Sequence, residues 1–264
     1  MKKLTLIKLG GSIITNKEVP MTVREDVLTR LVREIAKAQK ETGDVYIVGH
    51  GQGSFAHAPA MRYQTMDGFI KSDSRIGMAI TQDSAAQLNR IVVKHFLNEQ
   101  LPAVSFMFSN SMVLHKREAK HWCSQVLDQY LQKGLFPITG GDVIVDEDQG
   151  CTIWSTEQVL AYLAETLPEK GYQVARVIHV AEVPGVLDAE QKVVPTVCRD
   201  NQTEVKKLIN GTKGFDVTGG MWHKIEESLD LADQGIASVI LSGMEKNCLY
   251  NCLVGKDFLG TLIQ

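Results

Sequence analysis

"LTLIKLGGSIITNK", residues 4–17, is the stretch that decides the fold. Its first part, "LTLIKL" (4–9), is apolar except at Thr5 and Lys8, and reads as a buried strand. Two glycines and a serine follow at once, and a second lysine stands at Lys17. A buried strand has no use for glycine, which gives it nothing to pack, and a lysine between Ile7 and Leu9 needs a partner. An anion held against bare backbone satisfies both features.

Moving outward, Thr22 and Glu25 have the spacing of a capping box, which predicts a helix through "VREDVLTRLVREIAKAQK" (23–40) that stops near Gly43. "DVYIVG" (44–49) is a second buried strand. Strand, helix, strand in that order is a βαβ unit, with parallel pairing and a right-handed crossover.

The pattern continues down the chain. "GHGQGSFAH" (49–57) reads as a glycine turn and 58–75 as a polar, irregular, mobile loop. Residues 76–98 fit a long helix with Ile80, Ser84, Leu88 and Ile91 on one face. "PAVSF" is a short strand, "SQVLDQYLQK" a helix stopped by Gly134, and "LFPIT" (135–139) a strand. "GGDVIVDEDQGCTIW" reads as a hairpin turning at Asp148–Gly150. Ser155 and Gln158 cap the helix "STEQVLAYLAETL". "QVARVIHV" (173–180) and "ASVILS" read as strands on either side of a helix over 218–235, and "GTLI" as a last strand. The alternation predicts an α/β fold with an open, mostly parallel sheet and helices on both faces.

Composition narrows the function. The 264 residues suit one domain or two closely joined lobes, with 44% hydrophobic and 22% charged residues. A net charge of −3 with no basic block argues against nucleic acid as the main partner. No apolar run approaches the roughly 18 residues of a membrane span, and Met1–Leu9 is too short for a signal peptide. Five scattered cysteines read as free thiols in a reducing cytoplasm, without zinc spacing.

Three glycine turns follow strands: Gly10–Gly11, Gly49–Gly53 and Gly140–Gly141. Ligands of open α/β sheets sit at the carboxyl ends of the strands, where bare amides and helix N-termini favour phosphate. Lys8, Lys17, His57, Asp142 and Lys224, four residues after Gly220, lie on or near these turns and a late helix. Phosphoryl transfer needs such charges on both sides of the reacting phosphates, with in-line positioning. Taken singly, Lys17 and Lys224 also read as solvated surface lysines, His57 as a structural histidine and Asp142 as a turn cap. Neither GxxxxGK[ST] nor GxSxG occurs, which disfavours a P-loop NTPase and an α/β-hydrolase.

Together "KLGGSIITNK" (8–17), "GHGQGSFAH" (49–57), "GGDVIVD" (140–146), "DVTGGMWHK" (216–224) and "GT" (260–261) resemble the amino acid kinase superfamily, and within it the isopentenyl phosphate kinases. The resemblance covers nearly the whole chain. It implies a three-layer αβα sandwich of one domain, 1–264, with an acceptor-binding lobe (1–170) and a nucleotide-binding lobe (171–264). It implies transfer of the γ-phosphoryl group of ATP, with Mg2+, to isopentenyl phosphate in isoprenoid precursor synthesis, by a cytoplasmic homodimer. By position, Lys8, Gly10, Gly11 and Ser12 hold ATP phosphates, Lys17 stabilises the transition state, and Gly220 and Lys224 contact the nucleotide. His57 takes the acceptor's phosphate beside Gln52 and Gly53. Gly141, Asp142 and Thr156 complete the acceptor site, Glu182 belongs to the nucleotide segment, and Ile80 is a wall of the prenyl slot; no metal-ligating side chain is assigned. A fosfomycin-like phosphonate acceptor and a non-catalytic nucleotide-binding role remain as alternatives on the same fold.

The chain also departs from the family pattern. Gln52 replaces the middle of three glycines and Ala56 a later one. "STEQ" stands for "SGDD", which puts Thr156 at a glycine position and Glu157 where an aspartate organises the lysines. "AEVPGVL" (181–187) stands for "TDVDGVY".

Overall fold

The computed structural model describes residues 3–210 and 220–264. The chain opens with β1 (Lys3–Leu9), a single helical turn α1 (Gly11–Ile14), α2 (Glu25–Thr42), β2 (Val45–His50), α3 (Gly53–Tyr63) and the long α4 (Ser74–Asn98). Then come β3 (Ala103–Ser105), β4 (Met112–His115), β5 (Glu118–Trp122), α5 (Gln125–Gln132), β6 (Phe136–Gly140), β7 (Asp142–Asp146), β8 (Gly150–Trp154) and α6 (Thr156–Thr166). The last third holds β9 (Gln173–Ala181), β10 (Thr196–Val197), α7 (Gln202–Asn210), α8 (Gly220–Asp233), β11 (Ala237–Ser242), α9 (Cys248–Leu253) and β12 (Gly260–Ile263).

An eight-stranded sheet in the order β10-β12-β11-β9-β1-β2-β6-β3 forms the middle layer. It is parallel from β11 through β3, with β12 antiparallel to β11. The period-two alternation of β1 splits its side chains between two cores. Ile7 and Leu9 pack with α2, α4 and α9, whereas Leu4 and Leu6 pack with α5 and α6 on the other face. The result is the expected αβα sandwich, and one sheet runs through both 1–170 and 171–264. Four strands, β5-β4-β7-β8, make a second, smaller sheet.

Several local expectations need correction. The 22–25 capping box does not form. Thr22 gives its hydroxyl to the Pro20 carbonyl at 3.0 Å, and α2 starts at Glu25 behind Arg24. The reason is backbone pairing: Asn16 N–H donates to Thr22 O and Arg24 N–H to Ile14 O, both at 2.8 Å, which holds 22–24 extended. Gly43 does end the helix in the left-handed region, at φ 70°.

The stretch 58–75 is not an irregular loop. α3 runs to Tyr63, and a 3₁₀ turn over Thr65–Asp67 follows. The Met66 carbonyl accepts from Gln149 Nε2 at 3.0 Å and from Thr152 Oγ1 at 3.3 Å, and Phe69 N–H donates to Gln149 O at 2.8 Å. These bonds fasten the segment to the β7–β8 hairpin. The buried stripe of α4 is Thr81, Ala85, Leu88 and Val92, so Ile80, one residue and about 100° off that stripe, is exposed.

The β4–β5 hairpin, β10, α7 and α9 were not anticipated. Among the described residues, no helix is long and apolar enough to cross a membrane. All five cysteines are free. Residues 216–219 of "DVTGGMWHK" and the predicted helix start at 218–219 lie outside the described residues.

Candidate active site

β1, β2 and β6 are neighbours and parallel, so the three glycine turns meet at one edge of the sheet. The first two pack backbone to backbone. A Cβ on Gly11 would stand 2.5 Å from the Gly53 nitrogen, closer than any side chain allows. Gly53 itself has φ +48°, and a Cβ there would meet Thr15 Oγ1 at 2.0 Å. α1 and α3 both begin at this junction, and the first amides of a helix have no carbonyl of their own helix to bond. A cavity of about 630 Å³ opens beside it.

Lys8, Gly11, Ser12, Lys17, Gln52, Gly53, His57, Gly141, Asp142 and Thr156 all border this cavity. Most of the site expected from sequence is therefore one place. Gly10 sits just behind the lining, with its N–H on Val180 O at 2.9 Å. Gly220 opens α8. Ile80 does not border the cavity; Thr81 and Ala85, on the inner stripe of α4, do so with Met61, Val143, Ile153 and Trp154. Ile80 is thus withdrawn as a wall of the slot.

Lys8 lies on the α6 face of β1, beyond Leu6. There its ammonium meets the Glu157 carboxylate in the first turn of α6. Lys224 of α8 approaches the same carboxylate oxygen at 3.7 Å. Burial, and then the like charge of Lys224, pull the Lys8 ammonium below its ordinary pKa, while Glu157 works the other way. Burial pushes the Glu157 carboxyl up, but Lys8 and Lys224 outweigh it and hold it ionised at about 2. Lys8 reaches this pair only because Glu157 is there: a lone buried ammonium is too costly.

Lys17 reaches across to Glu182 at the end of β9, with Nζ–Oε2 2.9 Å, and Arg24 stands 3.7 Å from the other carboxylate oxygen. Glu182 therefore gathers basic groups, although it does not border the cavity. On the acceptor side, His57 is exposed one turn into α3. Asp142 is buried, takes the Ser109 and Val143 amides at 2.8 Å each, and is pushed up to about 6 by burial.

His179 was not anticipated. It lies opposite Lys8 in the β1–β9 register, and its Nδ1 is buried with no partner among the described residues. Burial, and then Lys8, push its imidazole down to about 3, so it is neutral. In sequence it was only a histidine within an apolar strand. Glu157 carried a signal, its place four residues into "WSTEQ", but not its burial.

The sequence profile of the amino acid kinase family matches residues 3–242. A protein from Methanothermobacter thermautotrophicus named isopentenyl phosphate kinase is 32% identical over 272 residues, covering 98% of both chains. One of the same name from Methanocaldococcus jannaschii is 28% identical over 262 residues, covering 96% of both. A crystal structure described as isopentenyl phosphate kinase superposes with a TM-score of 0.81 at 27% identity, over 99% of this chain and 100% of that one. This chain belongs to the amino acid kinase family.

Proposed function

We propose that the protein transfers the γ-phosphoryl group of ATP to isopentenyl phosphate, giving isopentenyl diphosphate and ADP. The observation that carries this reading is the Lys8–Glu157–Lys224 cluster beside the paired glycine turns, with His57 on the same cavity. It agrees with the near full-length similarity to proteins named isopentenyl phosphate kinase.

In this reading, the amides at the starts of α1 and α3 and the ammonium groups of Lys8 and Lys224 bind the nucleotide's phosphates. Gly10, Gly11, Ser12 and Gly220 let backbone approach them. Glu157 keeps the two lysines charged and aimed. An oxygen of the acceptor's phosphate attacks the γ-phosphorus in line; the bond to the β–γ bridging oxygen breaks and ADP leaves with that electron pair. The nucleophile is already anionic, so no strong general base is required. The main barrier is like-charge repulsion, and Lys17 and His57 neutralise it from the acceptor side. Asp142 stands at the acceptor end of the cavity, and Ala85, Val143, Ile153 and Trp154 give the prenyl tail an apolar lining.

Among the described residues, no cluster of three His, Cys, Asp or Glu is placed to hold a metal ion. Mg2+, if it enters with ATP, would be held mainly by the nucleotide's phosphates and water and would neutralise developing charge. The division into an acceptor lobe (1–170) and a nucleotide lobe (171–264), and a homodimer in solution, belong to the same proposal.

The test is direct. Purified protein with ATP and Mg2+ is offered isopentenyl phosphate, dimethylallyl phosphate and fosfomycin, and ADP release is followed. Isopentenyl phosphate is expected to give the highest kcat/KM, with the diphosphate visible by phosphorus NMR. ADP release that no acceptor stimulates would overturn the kinase reading.

A further inference from the structure

Gln52 and Thr156 meet on one residue, Gly141, from either side of its Cα. Gln52 Nε2 donates to the Gly141 carbonyl. Gly141 N–H donates to Thr156 Oγ1 at 2.8 Å, and that hydroxyl donates onward to the His50 carbonyl at 2.7 Å. A hydroxyl has one proton, so this chain has a fixed direction. The Thr156 methyl fills the space above Gly49, where a Cβ would stand 2.7 Å from it.

Both side chains are nine-tenths or more buried, and both border the cavity. The Gln52 amide cannot be flipped, because that would set its oxygen against the Gly141 oxygen. Its Oε1 is consequently left buried with no partner among the described residues. Buried unpaired acceptors are uncommon and signal a constraint other than stability. Meanwhile, the N–H and C=O of Gly141 are both engaged by side chains. The next residue after Thr156 is Glu157, which aims Lys8 and Lys224.

We propose that Gln52 and Thr156 act as one clamp on Gly141, the first holding its carbonyl and the second its N–H, and are positioning residues for phosphoryl transfer. The clamp ties the end of β2, the start of α3 and the β6–β7 junction to the first turn of α6. Through that turn it sets Glu157, and through Glu157 the two lysines. This role rests on the kinase reading above.

The experiment uses three variants. Thr156→Val keeps the shape and removes the hydroxyl, Thr156→Ser keeps the hydroxyl, and Gln52→Leu removes both amide groups at similar volume. Steady-state kinetics with ATP and isopentenyl phosphate should show kcat lowered about tenfold or more in Thr156→Val and Gln52→Leu, with both KM values changed less than about threefold. Thr156→Ser should retain most of kcat. The double variant should lose about as much as one single variant rather than the product of two, because both act through one residue, Gly141. Gln52→Leu removes one unpaired oxygen, its own Oε1, but takes the donor from the Gly141 carbonyl, so its urea midpoint should stay close to the parent's while kcat falls, which a purely structural role would not give. Hydrogen exchange at the Gly141 amide should accelerate in Thr156→Val.

Active parent protein with kcat unchanged in Thr156→Val, or losses that multiply in the double variant, overturns the clamp alone. Parent protein silent toward every acceptor overturns the kinase reading and the positioning role with it. Unaltered exchange at Gly141 in Thr156→Val overturns the clamp whatever the activity.

Discussion

Lys17 Nζ lies 2.9 Å from Glu182 Oε2, an ion pair that joins the loop after β1 to the end of β9. The Lys17 side chain is 64% exposed and that of Glu182 41%, so solvent screens the pair and it adds little to stability. In the proposed reaction, arriving phosphate draws the Lys17 ammonium away from Glu182. Lys17→Ala should lower kcat by about two orders of magnitude or more, the usual effect of removing one transition-state donor. Glu182→Gln frees the lysine and removes a negative charge from the approach. It should lower the KM for ATP a few-fold, roughly twofold to fivefold, at low salt, with the gain shrinking as salt is added. Neither change should move the urea midpoint appreciably.

Glu157 separates two like charges. Glu157→Gln leaves Lys8, which is 11% exposed, facing Lys224 with only the weaker pull of the Glu227 carboxylate to offset them. Breaking such a buried pair costs about 3–5 kcal/mol, so the variant should unfold at clearly lower urea and lose activity. Lys8→Met combined with Glu157→Gln should recover much of the stability and none of the activity. Stability recovered together with turnover would show that Lys8 has no role in transfer.

Buried titrating groups predict an acid-sensitive fold. His50 is fully buried against Asn89, and burial pushes its imidazole down to about 4. His179 is pushed further, to about 3. Both take up protons when the chain unfolds below their ordinary value of 6.5, so stability is lost as pH falls from about 6.5 toward 4. Over that pH range each histidine accounts for a loss of about 3 kcal/mol. Asp142, raised to about 6, has the opposite sign: the folded state binds its proton first, and it stabilises on acidification between about 6 and 4. Urea titrations from pH 4.5 to 8 should therefore show a net loss on acidification. Asp142→Asn should steepen the loss and His50→Gln should flatten it.

His57 stands in the first turns of α3, exposed to the cavity. His57→Ala should raise the KM for isopentenyl phosphate about tenfold or lower kcat, and leave ATP affinity near normal by calorimetry. Loss of ATP affinity instead would move His57 to the nucleotide side.

Much of this was legible in the residues. Each glycine turn followed a strand, and a parallel sheet has to bring the carboxyl ends of neighbouring strands together. Lys8 announced itself by interrupting an apolar run, and the Ser155–Gln158 capping box formed as its spacing required, with both bonds present. What misled was local. Thr22 had the spacing of a cap, but 22–24 pairs with 14–16 instead. The polar composition of 58–75 hid bonds to a hairpin some 80 residues later, which no local pattern encodes. Ser84 and Leu88 are buried as their spacing predicts, but Ile80, a turn earlier, falls at the exposed margin of that stripe, and Thr81 takes the inner place. His179 left no signal, since its meaning comes only from lying across the sheet from Lys8.

The placement of β1 between β2 and β9 also bears on biosynthesis. While the chain is being made, β2 can pair with β1 long before residues 173–181 emerge. Until then one side of β1 is an open edge, flanked by Leu4, Leu6, Ile7 and Leu9, all of them fully buried in the finished fold. The nascent first half thus carries its most aggregation-prone edge at its own beginning, and only the last third of the chain can cover it. A fragment that ends before residue 173 should therefore aggregate more readily than the full chain.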